Sequence, residues 1–461
     1  MNSGQGSRPG RSIAVALLIW VLFAGAALAV FLTRAKPRHT AETPGWPALP
    51  SGVSGEALRV LLPESLLARA LGDVKAVFES AEGLTVELAV APQPEFPATA
   101  HDVLTAGQCD ALVLESGDVA AYAKPGLLAP LDQPLGDPAV VPDSYRPGDI
   151  IPQITESCGR VDGQTYALPV TADVQILYYR RDLLSDIVNY QAFRRKYAYG
   201  LPCPPLQWDK AVDVARFFRD RDRPLYGMEI GCGPAGDAAY SFVMLLRSYG
   251  GQVLDSSGAV AFDSEAGSRA LTVMRSLAAA GPPRAESLTP DEVVGGFRDG
   301  QASMCVGWWR YAEGVETLPD GSPSAVRDIV AYTVLPSGPA GEPSPVVRAS
   351  CVAVSANARR LESAIRFAVW LTSPETSVRL SHEGVPPVRT SVLTDPDESK
   401  RHPQYEVLLR SLQVGKPMPE CSNGDVLRRA LSRAIARAAA DRTPPPDAIR
   451  RAADAVRTAI Q

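Results

Sequence analysis

The sequence predicts an α/β protein whose strands form open, mostly parallel sheets covered by helices. Short apolar strands alternate with amphipathic helices: residues 58–62 form a strand, 65–81 a helix with one apolar face, and 84–90 a strand of alternating pattern. The chain has 461 residues, of which 46% are hydrophobic and 21% charged, as expected for about two or three packed domains.

The charge and cysteine content exclude several kinds of partner and site. Residues 1–41 carry five cations and no acid, so the remaining chain is acidic, and the total of 46 basic against 51 acidic residues argues against nucleic-acid binding. Seven cysteines and four histidines show no metal-ligand spacing, which predicts no metal site. No hydrolase, zinc-protease or P-loop motif is present, so we expect no enzymatic activity and no cofactor. The spacing of the cysteines gives no disulfide connectivity.

The N-terminal segment predicts the compartment. Residues 13–32 contain no charge, and as a helix they would span ~30 Å, the thickness of a bilayer's hydrocarbon core. We predict a basic cytoplasmic N-terminus at 1–12, a transmembrane anchor at 13–32 and a Pro/Gly-rich linker at 33–56, with an extracytoplasmic body. The alternative is a signal segment cleaved near Ala29, which would give a secreted protein.

A glycine-rich motif, Gly231 to Gly236, has the GxGxxG spacing of a dinucleotide site, with Asp255 following it. Asp255 falls in an Asp-Ser-Ser-Gly turn and not at the end of a second parallel strand. The pattern therefore favours a ligand loop ahead of the helix that contains Tyr240.

One helix start is marked by a complete local signal. Thr289-Pro290-Asp291-Glu292 has the pattern of a capping box with proline at the first helical position. We predict a helix that begins there and ends near Gly300.

Several short sequence passages, spread over residues 57–461, form a recognisable series when they are taken in chain order. They are Gly163 to Pro169, Tyr178 to Leu183, Pro204-Pro205 with Trp208-Asp209, Tyr249-Gly250-Gly251, Phe297 to Met304, Val334 to Gly338, and Leu371 to Glu375. On these passages the chain resembles a family 1 extracellular solute-binding protein of ABC importers, the maltodextrin-binding-protein type. It departs from that family in lacking a lipid-attachment cysteine, in having Arg180-Arg181 where Asn-Lys is usual, and in a longer link at 186–199.

The resemblance implies a two-lobed periplasmic-binding-protein fold whose chain crosses between lobes three times. It implies a first lobe from residues 57–172 and 304–357, and a second lobe from 173–303 and 358–461, the last part helical. The implied crossings fall near Pro169–Asp173, Ser303–Val306 and Ser355–Arg359. Such crossings act as hinges when lobes close over a ligand.

The resemblance and the strand ends together give a candidate ligand site. Matching family positions imply roles for Asp173, Tyr240 and one of Trp308 and Trp309, with Trp308 slightly favoured. Glu64 and Glu115 are expected at strand ends, where ligands of open α/β sheets bind, and Arg310, Arg348 and Arg428 are possible anion contacts. The alternatives are an acid at a helix N-terminus or an exposed hinge charge for Asp173, a packing tyrosine for Tyr240, and plain surface acids for Glu64 and Glu115.

The function implied by the resemblance is that of a receptor that delivers a small solute, expected to be a carbohydrate, to an ABC permease in the membrane. Its expected partners are that solute, the permease, and the membrane through residues 13–32. Two alternatives stay open: a membrane-tethered ligand sensor on the same fold, and a non-sugar solute such as a polyol phosphate.

Overall fold

The structure is a computed structural model that describes residues 57–220, 225–234, 237–283, 285–339, 341–419 and 424–460. The predicted basic N-terminus, anchor and linker at 1–56 lie outside these residues. Within the described ranges, no helix combines the length and apolar character that crossing a membrane requires.

The chain alternates strands and helices, as the sequence predicts. The strands are β1 (Ala57–Pro63), β2 (Thr85–Ala91), β3 (Ala111–Glu115), β4 (Arg160–Val161), β5 (Gln164–Thr165), β6 (Ala167–Arg180), β7 (Met304–Trp308), β8 (Val330–Thr333) and β9 (Val347–Val354). The helices are α1 (Leu66–Val74), α2 (Ala76–Glu82), α3 (Phe96–Thr105), α4 (Val119–Ala123), α5 (Asp132–Leu135), α6 (Pro152–Ser157), α7 (Arg181–Leu184), α8 (Ile187–Tyr197), α9 (Trp208–Arg219), α10 (Asp237–Ser248), α11 (Glu265–Ala280), α12 (Pro290–Arg298), α13 (Leu361–Leu371), α14 (Pro374–His382), α15 (Thr390–Leu393), α16 (Pro396–Arg401), α17 (Tyr405–Val414), α18 (Gly424–Ala440) and α19 (Pro445–Ile460). Two short 3₁₀ turns, Ser116–Asp118 and Trp309–Tyr311, follow β3 and β7.

The capping box predicted at the start of α12 is confirmed. The Thr289 hydroxyl accepts a hydrogen bond from the Glu292 N–H at 3.3 Å, and the Glu292 carboxylate accepts one from the Thr289 N–H at 2.8 Å. These two bonds satisfy N–H groups that have no partner inside the helix, and Pro290 occupies a position that needs no donor.

The main sheet is built around one long strand. Its order is β2-β1-β3-β9-β6-β7, with β8 pairing to β6. Strand β1 is parallel to β2 and β3, but β6 pairs antiparallel with β7, β8 and β9. The prediction of mostly parallel sheets is therefore wrong for the strands around β6. Chain order alone did not reveal that β6 extends over 14 residues and pairs with different strands along its two halves.

The apolar side chains form two hydrophobic cores. The first contains side chains from β1, β3, β9, α13 and α14, and the second contains side chains from α9, α10, α11, β7, α18 and α19. Strand β6 joins the two cores, because Leu168 and Val170 lie in the first and Leu177 in the second. The molecule is a two-lobed α/β protein whose lobes share β6.

The grouping of segments differs from the predicted one in two places. Strand β7, in the segment assigned to the first lobe, packs in the second core, because it pairs with the second half of β6. Helices α13 and α14, in the segment assigned to the second lobe, pack in the first core against β1 and β9. The chain passes between cores within β6, near the start of β9, and between α14 and α18. Only the first of these passages lies where a crossing was expected.

Candidate functional site

Two chain passages run side by side between the cores, and this junction carries charged residues. Asp173 of β6 lies opposite Arg348 of β9, and Val174 lies opposite Val347. The segment after α17 joins them, since the Val347 N–H donates to the Lys416 carbonyl at 3.0 Å. Side chains that project here are positioned by paired strands from both lobes, which makes the junction a candidate ligand site.

Asp173 and Arg310 form an ion pair at this junction. The Arg310 guanidinium donates to the Asp173 carboxylate with 2.9 Å between Nη1 and Oδ2, and the Arg310 backbone N–H donates to Oδ1 at 3.2 Å. The Asp173 side chain is 13% exposed. Burial raises the pKa of Asp173, and the charges of Arg310 and Arg348 oppose that rise. The arginine follows β7 in the Trp309–Tyr311 turn, so this pair joins β6 to the end of β7.

A second ion pair joins Glu115, the last residue of β3, to Arg348 of β9. The negative charge of Glu115 raises the pKa of Arg348. The Arg348 guanidinium carbon lies 5.7 Å from the ring centroid of Tyr240 and 5.7 Å from that of Trp308, within the range of cation–π attraction. Both predicted acids of this region, Glu115 and Asp173, are therefore neutralised by an arginine.

The two aromatic residues of the junction pack against each other. The rings of Tyr240 and Trp308 meet edge to face, with 5.1 Å between centroids. Trp308 is 2% exposed and Tyr240 4%. The Trp308 indole N–H points at the Asp237 carboxylate, 3.5 Å away, and Arg310 lies 6.0 Å from the ring centroid. The aromatic faces are thus covered by guanidinium groups in this structure.

Two of the predicted residues lie apart from this group. Trp309 is buried on another side of the turn, where its indole N–H donates to the Gln404 carbonyl at 3.3 Å and its ring packs on Tyr405. Glu64 is exposed beyond the end of β1, and its backbone contacts Ala91 and Gln93. The structure brings together the other five predicted residues: Asp173, Trp308, Tyr240, Glu115 and Arg310. We call these five, with Arg348, the interlobe cluster.

Sequence reasoning missed three acids around the interlobe cluster: Asp118, Asp237 and Asp425. Burial raises the pKa of Asp118 to about 6, helped by the charges of Glu115 and Asp425 and opposed by Arg428. Asp237 is the first residue of the helix that contains Tyr240. Its position near a predicted site residue was therefore a signal that sequence reasoning could have used. Asp425 lies in the first turn of α18 and accepts a hydrogen bond from Arg428.

Residues of both lobes meet at these acids. A Cβ placed on Gly424, at the start of α18, would lie 3.6 Å from the Gly117 carbonyl oxygen in the turn after β3. Helix α18 packs in the second core and β3 in the first, so the acids near Gly117 and Gly424 lie where the lobes touch. Among the described residues, no group of three or more His, Cys, Asp or Glu side chains is arranged to hold a metal ion.

The glycine-rich motif has a packing explanation. A Cβ on Gly233 would lie 2.5 Å from the Leu288 carbonyl oxygen, and one on Gly231 would lie 2.6 Å from the Asp237 Cβ. Both glycines are thus needed for close approach of the chain to itself. Gly236, the last glycine of the motif, lies outside the described residues.

A surface cavity of about 410 Å³ lies away from the interlobe cluster, lined by Arg247, Gly251, Ser344, Val414 and Lys416. The Arg247 guanidinium donates to the carbonyls of Lys416 and Pro417 at 3.1 and 2.7 Å, so two of its donors are already used. None of the described residues that line the cavity is aromatic. The interlobe cluster is therefore the stronger candidate for solute binding.

Comparison with known proteins identifies relatives of the whole body. The model of the family described as bacterial extracellular solute-binding protein matches residues 74–407. A probable amino-acid ABC transporter periplasmic-binding protein of Sinorhizobium fredii is 26% identical over 393 residues, covering 83% of each chain. The mannitol-binding protein of Pseudomonas aeruginosa is 26% identical over 270 residues, which are 58% of this chain and 57% of that protein.

A solved structure shares the fold. The ABC transporter solute-binding protein of Agrobacterium radiobacter, crystallised in complex with ribitol, superposes with a TM-score of 0.72 at 22% sequence identity. The match covers 88% of this chain and 99% of that one, so it includes both lobes. Since the family model also spans more than half of the sequence, the chain belongs to the bacterial extracellular solute-binding protein family.

Proposed function

We propose that this protein is the extracytoplasmic receptor of an ABC import system and that it closes its two lobes over a sugar or polyol at the interlobe cluster. The observation that carries the proposal is the junction itself. Two ion pairs and two aromatic rings, from strands and helices of both cores, converge where the chain crosses between lobes. The proposed role is binding and delivery, without chemistry on the solute.

The charges of the interlobe cluster favour a neutral ligand. Arg310 and Arg348 point into the junction, as an anion site would need, but each is paired with a carboxylate. Asp118, Asp237 and Asp425 add further acids nearby. An anion would enter an environment in which no cation of the interlobe cluster is free of an acid, so phosphate-bearing solutes are disfavoured.

A polyhydroxylated solute matches the same groups. A hydroxyl group both donates and accepts, so it can bind a carboxylate such as Asp173 and a guanidinium such as Arg348 at once. The C–H face of a sugar or polyol needs an apolar surface, which the rings of Trp308 and Tyr240 supply. Because these rings are buried under guanidinium groups, we infer that the ligand enters while the lobes are apart and displaces those groups from the ring faces.

The two ligands named for the relatives fit this chemistry. Ribitol and mannitol are neutral polyols, and the proteins that bind them share the family or the fold of this chain. A second candidate class is an amino acid, suggested by the relative in Sinorhizobium fredii. Paired carboxylate and guanidinium groups would also complement a zwitterion.

A thermal-shift screen tests the ligand class directly. We expect ribitol, mannitol or maltose to raise the Tm, while inorganic phosphate and sugar phosphates leave it unchanged. A ligand at 100 times its Kd stabilises the folded state by ~2.7 kcal/mol. We expect a Kd of about 1 µM, which corresponds to about −8 kcal/mol.

The same screen contains the contrary outcomes. A rise in Tm with amino acids alone would assign the second class, and a rise with sugar phosphates alone would contradict the argument from paired charges. The matched variant is Asp173→Asn, which leaves Arg310 without its carboxylate. It should lose affinity for the neutral ligand and gain affinity for phosphate. The control Glu82→Gln, a change at an exposed glutamate, should alter neither affinity.

We also propose that residues 13–32 hold the body at the membrane. The full chain should then sediment with membranes, resist carbonate extraction and keep its N-terminus. Ala29→Leu is the matched variant, because a small residue before the cut is needed for signal cleavage. It should change nothing in an anchored protein. The segment is instead a cleaved signal if mass spectrometry finds a mature chain that begins at Val30 and if Ala29→Leu restores attachment to the membrane.

A further inference from the structure

Two buried cysteines from distant parts of the sequence meet in the first lobe. Cys158 follows α6 in extended conformation and is 2% exposed, and Cys351 lies within β9 and is 0% exposed. The two thiols lie within hydrogen-bonding reach of each other. They are separated by most of the second lobe in sequence, so only the fold brings them together.

The backbone next to Cys158 is held in place by contacts with the start of β6. Gly159 has φ +84°, and a Cβ there would lie 2.1 Å from the Ala167 carbonyl oxygen, so only glycine allows this approach. The Gly159 carbonyl accepts hydrogen bonds from the N–H groups of Tyr166 and Ala167, at 2.8 and 3.2 Å. The residue after Cys158 is thereby held against the start of β6.

Strand β6 in turn places this region beside Cys351. Ala167 pairs with Ala353, and Pro169 pairs with Cys351. Cys351 and Ala353 are two residues apart on β9, so their side chains project from the same face of the sheet. The Cys351 thiol therefore projects from the sheet next to the point where Gly159 contacts β6.

We propose that Cys158 and Cys351 form a disulfide bond in the exported protein. The family is extracellular, and disulfides form and persist in oxidising compartments. In this step each thiol loses its hydrogen and a sulfur–sulfur bond forms. The two electrons and two protons pass to a thiol–disulfide oxidant, whose own disulfide becomes a dithiol.

Three other cysteines, Cys109, Cys203 and Cys305, have neighbours of a different kind. The ionisable neighbours include Asp110 for Cys109, Arg181 and Tyr179 for Cys203, and Glu229, Asp237 and Tyr178 for Cys305. Among the described residues, none of the ionisable groups that act on these three cysteines is a second thiol. The pair at Cys158 and Cys351 thus supplies the connectivity that cysteine spacing does not give.

The burial of the pair predicts when the bond forms. The hydrogen bond with the Cys158 thiol, together with burial, raises the pKa of Cys351 well above that of a free thiol, so little thiolate is present in the folded state. Because the thiolate is the reactive form, exchange is slow once the lobe has folded. The bond is therefore made during folding, and in the native protein it resists reduction.

Peptide mapping of the full chain tests the proposal. The protein is exported, or refolded with a mixture of reduced and oxidised glutathione, then unfolded without reductant and alkylated with N-ethylmaleimide. We expect one linked peptide pair that contains Cys158 and Cys351, and we expect both residues to escape alkylation until reductant is added. Alkylation of both residues before reduction would overturn the proposal, and so would a link from either residue to a different cysteine.

Variants give an independent readout. After reduction in denaturant and refolding with reductant present, the Tm of the parent should fall by ~5 °C. Cys109→Ser, which removes another buried thiol, should show the same fall and keep the linked peptides. Cys158→Ser and Cys351→Ser should show no dependence on reductant. An equal response to reductant in all four proteins would contradict the bond.

Discussion

Replacing Trp308 by alanine is expected to weaken binding of the sugar or polyol found in the screen by about 10- to 100-fold. This ring is the centre of the interlobe cluster, since Tyr240 packs on its edge and the guanidinium groups of Arg310 and Arg348 lie 6.0 and 5.7 Å from its centroid. Buried aromatic anchors of this kind contribute a large share of binding free energy, and tenfold corresponds to about 1.4 kcal/mol. Titration calorimetry on the folded variant measures the change.

The neighbouring tryptophan supplies the matched control. Trp309 is equally buried but contacts Gln404 and Tyr405, away from the interlobe cluster. Trp309→Phe should lower the Tm and leave the Kd unchanged, and Trp308→Phe should bind more tightly than Trp308→Ala because it retains a ring face. If Trp308→Ala binds like the parent, the ligand does not use this ring. If Trp309→Phe alone loses affinity, the site lies on the other side of the turn.

The contrast between the two tryptophans shows what sequence could and could not supply. The resemblance implied a role for one of the two side chains, and they lie on different sides because β7 ends at Trp308 in extended conformation and Trp309 begins a 3₁₀ turn. The side that faces the interlobe cluster depends on Asp237, Tyr240 and Arg348, which come from other elements. No local pattern encodes that choice.

The same limit applies to the ion pairs and the sheet. Glu115 and Arg348 are 233 residues apart, so their pairing follows from β3 and β9 being neighbours in the sheet. Predictions from local sequence were more accurate than predictions of long-range pairing. The capping box of Thr289 and Glu292 depends on four consecutive residues and is present as predicted. The grouping of β7 with the second core required knowing its partner strand, and pairing of distant strands leaves no mark in a single sequence.

Raising the pH from about 5 to 8 is expected to destabilise the folded protein through one buried acid, Glu229. This side chain is 2% exposed, and its Oε2 atom has no hydrogen-bond partner among the described residues. Its backbone is held against β7, because its N–H donates to the Met304 carbonyl at 3.0 Å. Helix α12 closes the other side, where a Cβ on Gly296 would lie 2.4 Å from Oε1. The carboxyl is thus enclosed in the second lobe, and no basic side chain of the described residues forms an ion pair with it.

The enclosure determines the sign of the pH effect. Burial, with the charge of Asp299 adding to it, raises the pKa of Glu229 to about 8 from its ordinary value of 4.5. Below pH 4.5 the carboxyl is protonated in both states, so its contribution to stability is fully present there. As the pH rises towards 8 the unfolded chain loses the proton and the folded chain keeps it, and stability is lost on the order of 4 kcal/mol.

Urea unfolding of the parent and Glu229→Gln at several pH values between 5 and 8.5 measures this contribution. The amide cannot ionise, so the free energy of unfolding of Glu229→Gln should fall less with rising pH, and the stability of the parent relative to Glu229→Gln should decrease steadily up to about pH 8. Glu82→Gln, a change at an exposed glutamate, should follow the parent at every pH. Parallel curves for the parent and Glu229→Gln would mean that the buried carboxyl ionises at its ordinary pKa, and that water or a cation reaches it in the folded protein.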